Sequence, residues 1–425
     1  MSKGRIIASL ELGSSKIVTL IAKAETDEIT GDTAISVAGV SSVASRGIRK
    51  GQIVDIEETV EAVIASVEAA ERMAGYNLQS AFVALGGAHF DSQNSHGVVA
   101  VSDPSGEISP DDVARVIEAA SAISLPQSRE VIHVIPREFI VDGEAGVKDP
   151  VGMSGVRLEV ETHIVTAATP AVKNITKAVG EVGIETEDLV FSGFAAAEAV
   201  LSSTEKELGC VLIDIGGGTT SVAVFLEGAL AYSGVIPVGA KNVTNDLAIG
   251  LRVSLEAAEK IKIALSEDKK KLKLKPEEES DSLELKEIGI TEVKKVSKKT
   301  LIEGIIRPRL NEIFTMVKIE LEKNNLGSRV PSGVILTGGG AETVGAHDAA
   351  RRILALPVRI GKPEGVGGLI DEILTPAFAT PIGLLIYGSK VASKEKGMSF
   401  FPKKLKLPIG GFAGKLVDAI KNLLP

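Results

Sequence analysis

The chain carries one cysteine, Cys210, in 425 residues. A single thiol excludes a disulfide framework and a thiolate metal cluster, and its place in an apolar run reads as a buried structural residue in a reducing compartment. No stretch reaches the roughly 18 apolar residues that span a bilayer. The opening MSKGRIIASLEL also lacks the long apolar core of a signal peptide. A cytosolic protein is expected, with any membrane contact peripheral. Basic residues are in the minority too: 47 Lys and Arg against 56 Asp and Glu leave a formal net charge of -9. Duplex nucleic acid, which binds basic surface, is thereby disfavoured as the main partner. Neither a Walker A signature nor a dinucleotide G-x-G-x-x-G occurs, so P-loop and Rossmann readings lack their motif.

What is present is ordinary globular composition, 44% hydrophobic and 24% charged, in a chain long enough for about two to four domains. A near-repeat organises it. IIASLELGSSKIVTLIAK (Ile6 to Lys23) and CVLIDIGGGTTSVAVFLEG (Cys210 to Gly228) each run as apolar strand, acid, one apolar residue, Gly with Ser or Thr, then a second apolar strand. The acids are Glu11 and Asp214. Two such hairpins this far apart predict two similar domains and not a short-period solenoid. Each is followed by more strands and then a helical pattern, DIEETVEAVIASVEAAERMAG in the first half and VTNDLAIGLRVSLEAAEKIKIAL in the second, so the class is α/β. Between the halves, roughly Gly86 to Glu161, an inserted small α+β subdomain is expected. Its helix SPDDVARVIEAASAIS opens with Ser109 as N-cap and Pro110 at the first helical position.

The chemistry lies at the hairpin tips. Glycines let backbone N–H groups approach an anion closely, and Thr219 and Thr220 add hydroxyls, so the second tip suits a phosphate. An acid among phosphate donors repels the ligand unless a divalent cation lies between them, directly or through water as magnesium usually prefers. One Gly-rich hairpin alone is commonly just a tight turn; a facing pair would clamp a Mg-bound triphosphate from both sides. A third element, VILTGGGAETVG (Val334 to Gly345), follows a strand and precedes a helix, and offers N–H groups to a phosphate or a bare backbone to a flat base.

In the order hairpin, hairpin, strand–GGG–helix, the sequence resembles the actin, sugar-kinase and heat-shock chaperone ATPase superfamily. It is most similar to the FtsA family of actin-like bacterial cell-division proteins, through LELGSSKI, SRGIRKGQIVD, HVIPREFIVDG, VKDPVGMSGVRLEVETHIVTA, DIGGGTT, ILTGGGA and TPIGLLIYG, which cover almost the whole chain. The resemblance implies an actin-like ATPase fold: two similar RNase H-like domains around a nucleotide cleft. It implies a first domain (1A) from 1–85, 162–204 and 375–390, the inserted subdomain (1C) at 86–161, and a second domain (2A) from 205–250 and 308–374. A small subdomain (2B) would take 251–307, a linker 391–410, and an amphipathic membrane-targeting helix 411–425. It further implies ATP and Mg2+ as cofactors, with Glu11 and Asp214 organising the cation through water. Gly13, Ser14, Ser15 and Lys16 would hold phosphate from one side and Gly216, Gly217, Gly218, Thr219 and Thr220 from the other. Gly338, Gly339, Gly340 and Ala341 would lie near the adenosine, and Glu259 and Lys262 would reach ribose and base. Taken alone, that last pair, one helical turn apart, also fits a surface salt bridge. Related bacterial actins place a water-orienting Glu ahead of an Ala-rich helix, where FSGFAAAEAVL offers Ser192, with Glu198 later in the helix. Tight ATP binding with slow turnover is therefore expected.

After Tyr387 the sequence turns rich in Ser, Lys, Gly and Pro and reads as a linker. Beyond it, Phe412, Leu416, Val417, Ile420, Leu423 and Leu424 fall on one helical face, with Lys415 and Lys421 on the other. Five lysines stand against one aspartate between Phe400 and Pro425, opposite to the sign of the whole chain. This pattern suits an anionic membrane surface, or alternatively a groove on the protein's own body or a partner. The family implies self-assembly into filaments, later division proteins as partners, and the tubulin-like FtsZ, whose C-terminal tail would dock on the small subdomain. By charge and position, Lys298, Lys299 and Arg307 are the candidate contacts for an acidic tail. The charged stretch from Ser266 to Lys299 departs from the usual pattern there and reads as a solvated insertion or a docking surface. A PilM-like pilus-assembly protein shares the fold but usually lacks the terminal helix. A small-molecule kinase of the same fold would need a catalytic carboxylate and a substrate pocket that the sequence does not nominate.

Overall fold

The computed structural model describes residues 4–26, 33–272, 281–290, 295–369 and 372–394. The expected membrane face, Phe412 to Leu424 with Lys415 and Lys421, lies outside these residues. Two sheets share one plan. In the first, Arg5–Leu12 pairs antiparallel with Lys16–Thr26 and parallel with Ser80–Leu85; Glu185–Phe191 and Thr33–Ala44 extend it on either side. In the second, Cys210–Ile215 pairs antiparallel with Thr220–Leu226 and parallel with Val334–Thr337; Ala229–Ile236 and Val358–Ile360 extend it. Hairpins and crossover strands therefore repeat in the same order, as the near-repeat predicts.

The central strands read as continuous apolar runs because both of their faces are covered. Side chains alternate between two cores. Ala8, Leu10 and Ile17 pack outward with Val63, Val67, Ile175 and Val179 of the helices Ile56–Ala74 and Thr169–Gly180. Val18 and Leu20 face inward and join Leu212 and Phe225 of the second sheet. Between the sheets lie the helices Ser192–Val200 and Ala379–Lys394. The first is alanine-rich for a steric reason: Ala195, Ala196 and Ala197 are buried, and a Cβ added at Gly383 would overlap the Ala195 carbonyl oxygen, so the two helices cross backbone to backbone.

The insert forms its own four-stranded sheet, in the order Phe90–Ala100, Arg157–Ala168, Arg129–Val141, Glu144–Val147. The helix Pro110–Ser121 covers it through Val113, Val116 and Ile117, and Ser109 and Asp112 cap that helix reciprocally. Arg157–Ala168 carries the sheet past residue 161 and into the body, where Val165 joins the core between the two sheets and Ala167 the outer core of the first half.

Two sequence readings differ from the structure. The helical pattern after the second hairpin divides into Ala240–Leu251 and Leu255–Leu272, because Arg252 adopts φ 54 and ends the first helix while the Ser254 hydroxyl accepts from Ala257 N to start the next. The last helix also continues to Lys394, into the segment read as linker after Tyr387. Tyr387 anchors it, donating to Asp188 at 2.8 Å and stacking edge-on to Phe82 and Phe194.

Replacing Gly383 by Ala forces a side chain into the helix crossing and is expected to lower the unfolding free energy by about 2 kcal/mol. Urea denaturation measures this, and an unchanged midpoint would show that the crossing relaxes freely.

Candidate functional site

The two hairpin tips face each other across a cavity of about 520 Å³ between the two halves. Their turns are the same: Gly13 N donates to Lys16 O at 3.1 Å and Gly216 N to Thr219 O at 2.9 Å. The register puts Glu11 between Val18 and Ala84, and Asp214 between Ser221 and Thr337, so both acids point to the cavity floor from matching positions. The tips come close. A Cβ on Gly217 would stand 2.7 Å from Ser15 Cβ, which is why a bare backbone is needed there. The backbone N–H groups of Ser14, Ser15, Gly217 and Gly218 donate to no acceptor among the described residues. Native structures rarely leave such donors idle, and their convergence makes an anion cradle.

The floor is electrostatically strained. Burial pushes the Glu11 carboxyl up to about 7, with the Asp214 charge adding to the rise and Lys16 opposing it. Burial likewise lifts Asp214 to about 6, moderated by the Thr380 hydroxyl, which donates to its Oδ2 at 3.0 Å, and by Lys16. Glu11 Oε2 is buried with no hydrogen-bond partner among the described residues. The Lys16 ammonium lies between the acids and the segment Pro376–Phe378, donating to Ala377 O at 2.7 Å and standing 3.8 Å over the Phe378 ring. Two crowded carboxylates with an idle oxygen are the donor set that a hard divalent cation takes up.

Of the residues singled out in the sequence, Glu11, Gly13, Ser14, Ser15, Lys16, Asp214, Gly216, Gly217, Thr219, Glu259, Lys262, Gly338, Gly339 and Gly340 all line the cavity. Gly218 sits at the tip, where a Cβ would stand 2.7 Å from Ser14 Oγ. Two others point away. Thr220 is buried and donates to Val238 O at 2.8 Å, because it pairs with Ile215 and shares that residue's core-facing side of the hairpin. Ala341 packs in the core of the second half, one residue beyond the glycines. Glu259 and Lys262 are an ion pair at 2.8 Å in the cavity wall, with Lys262 8% exposed and also donating to Thr244 Oγ1, so a loose surface bridge is excluded. Ser192 begins the alanine-rich helix at the cavity with its hydroxyl 3.0 Å from Ser221 Oγ. Glu198 lies elsewhere, paired with Lys206 at 2.6 Å and with Lys390. Lys298 and Lys299 open the helix Lys298–Leu301, and Arg307 pairs with Glu303 a turn beyond.

Several cavity residues escaped the sequence reading. Gly86 follows Ser80–Leu85 as Gly338 follows Val334–Thr337, so it is the first half's counterpart of the third Gly-rich element. The likeness of VALGG to ILTGG was the available signal. Ile263, Ser266 and Glu267 extend the Glu259 and Lys262 stripe by further helical turns. Lys241 reaches from the helix Ala240–Leu251 to Ser14 O at 2.7 Å, a contact with no local sequence signal.

Comparison with known proteins agrees with this architecture. The chain superposes on the PilM–PilN type IV pilus biogenesis complex with TM-score 0.62 at 16% identity, covering 90% of this chain and 98% of that one. On ADP-bound MreB5 of Spiroplasma citri the TM-score is 0.51 at 15% identity, covering 93% and 99%. The two repeated sheets around a cleft are thus an actin-like ATPase fold. The family descriptions that match are "SHS2 domain inserted in FTSA" over residues 87–166 and "Cell division protein FtsA" over residues 211–383. Proteins of the latter name from Pseudomonas aeruginosa and Escherichia coli are 39% and 33% identical, the alignments covering 94% and 97% of this chain and 93% and 96% of theirs. The chain belongs to the FtsA family: it is an actin-like cell-division protein.

Both floor carboxyls titrate higher in the folded chain than in the unfolded one. The native state therefore holds extra protons between about pH 4 and 7, and stability falls as pH rises through that window. Glu11→Gln removes the larger part, so at pH 8 without divalent cations this variant is expected to be more stable than wild type by on the order of 2 kcal/mol. Thermal melts against pH test this; equal slopes for the two proteins would refute it.

Proposed function

We propose that the cleft binds Mg-ATP and that nucleotide state governs assembly of the chain on the cytoplasmic face of the membrane, at the division site. There it tethers the FtsZ ring and recruits later division proteins. The observation that carries the nucleotide reading is the pair of facing turns with idle N–H donors above two desolvated carboxylates. Phosphates fit the donors, and a cation fits the acids; the unpartnered Glu11 Oε2 supports Mg2+ held by Glu11 and Asp214. When bound, Mg2+ neutralises phosphate charge.

The chain's own groups divide the remaining work. Thr380 orients the Asp214 carboxylate. The stripe from Glu259 to Glu267 and the backbone at Gly338–Gly340 offer the other end of the cavity to ribose and base. The acids in the wall are Glu11, Asp214, Glu259, Glu267 and Glu342, while the head of the alanine-rich helix presents the Ser192 hydroxyl. The carboxylate of that helix, Glu198, is outside the cavity wall and paired with Lys206 and Lys390, so it does not orient water there; turnover is slow, and ATP acts as a conformational and assembly switch. Phosphate release is expected below about one per second, near the lower end of ordinary enzymes.

The tether reading rests on the amphipathic pattern of 411–425 and on family membership. No helix among the described residues is long and apolar enough to cross a membrane. One short helix binds lipid weakly, and a filament presenting many makes attachment stable. Lys298 and Lys299 at the start of a helical run, and Arg307 further along it, are the candidate contacts for the acidic FtsZ tail.

Liposome co-sedimentation with Mg-ATP compares the full chain with one ending at Pro408, each with FtsZ tail peptide. The full chain is expected to pellet with anionic vesicles and to carry the peptide down, while the truncated form stays in solution. If both forms remain soluble and ignore the peptide, the tether reading fails.

A further inference from the structure

Three lysines line the cavity: Lys16, Lys241 and Lys262. Lys16 is engaged by the Ala377 carbonyl and the Phe378 ring, and Lys262 by the Glu259 carboxylate and the Thr244 hydroxyl. Lys241 differs. It is an exposed residue, and its one hydrogen-bond acceptor among the described residues is Ser14 O at 2.7 Å, on the opposite half of the molecule.

The backbone at Lys241 is fixed. Its N–H donates to Gly217 O at 2.8 Å and the preceding Ala240 N–H to Gly216 O at 2.9 Å, so the start of this helix is bolted to the second turn. A Cβ on Gly239 would stand 2.6 Å from Gly216 O, leaving no space for the helix to shift. The side chain therefore springs from one turn and grips the other.

The grip falls on a particular peptide group. In a trans peptide, C=O and N–H point in opposite directions. Lys241 holds the carbonyl of the Ser14–Ser15 peptide, so the Ser15 N–H of the same unit is aimed away from the lysine. The Ser15 nitrogen lies 3.3 Å from where a Cβ on Gly217 would stand, on the side of the second turn, and its N–H has no acceptor among the described residues. An ammonium on the carbonyl also polarises the peptide and strengthens that donor. Ser14 is fastened a second time through its hydroxyl, which accepts from Gly51 N at 2.8 Å.

Resting on the nucleotide reading above, we infer that Lys241 is a positioning residue. It locks the Ser14–Ser15 peptide so that the Ser15 N–H faces the phosphate slot, and in the same bond ties the two halves of the cleft together. It acts on the phosphate end of a ligand and not on the adenosine end, which lies against Glu259, Lys262 and Gly338–Gly340.

The test compares wild type, Lys241→Met and Lys241→Arg as full-length chains by calorimetric titration with Mg-ATP and with adenosine. Lys241→Met is expected to weaken Mg-ATP about tenfold, the scale of one charge-assisted hydrogen bond, and to change adenosine less than twofold; Lys241→Arg restores most of the loss. Equal losses for both ligands, or none for Mg-ATP, overturn the inference. A second readout needs no nucleotide: amide exchange across residues 12–17 of the ligand-free protein is expected to quicken at least threefold in Lys241→Met, and unchanged exchange overturns the lock. Wild type that binds neither ligand refutes the nucleotide reading itself, while the exchange experiment still decides whether Lys241 holds the turn.

Discussion

Two like-charged carboxylates, Glu11 and Asp214, occupy equivalent places at the floor of one cleft, and much of the structure serves to hold them there. Burial disfavours the charge on each, and the Asp214 charge makes that of Glu11 harder to bear. The surroundings compensate only in part, through Lys16 and the Thr380 hydroxyl, and one oxygen of Glu11 is left idle. In the function proposed above that incompleteness has a use, since a site already satisfied by the protein would have no need of a cation and the phosphates it brings.

The frame that holds this strain is a pair of sheets joined by a tightly packed centre. Thr380 stands near the start of the last helix, and Lys390 near its end pairs with Glu198 of the alanine-rich helix. The Gly383–Ala195 crossing keeps the two helices in register. Because Ser192 heads one helix and Thr380 the other, the crossing sets the spacing of groups on both sides of the cavity. The chain that follows Lys394 leads to the amphipathic segment, so the helix that touches Asp214 through Thr380 is also the one that leads to the proposed tether. Packing and function thus meet in one element.

How much could be read without coordinates depended on how local each feature was. The two hairpins were legible because strand, acid, glycine turn and strand lie within about twenty residues of each other, and alternation fixes which side chains share a face. The insert's helix was legible from Ser109 and Pro110, since a cap is a short-range interaction. Thr220 was assigned to the wrong side because residue type alone does not state register; the Gly216–Thr219 turn does, placing Thr219 and Ser221 on the cavity side and Thr220 on the core side. The end of the last helix was misjudged for a related reason. Its polar composition after Tyr387 looks like linker, but Lys390 finds a buried carboxylate to pair with, and Ser389 is itself buried.

The sequence by itself determined the repeated hairpins, their acids, the glycines, the family and the amphipathic tail, because each is a pattern of neighbours along the chain. Only the tertiary structure decided which residues meet across the cleft: Gly86 as partner of the third glycine loop, the burial that raises Glu11 and Asp214, and Lys241 on the Ser14 carbonyl, 227 positions away. Such contacts depend on how two halves pack, and packing is set by the summed shape of the buried side chains rather than by any short stretch of sequence.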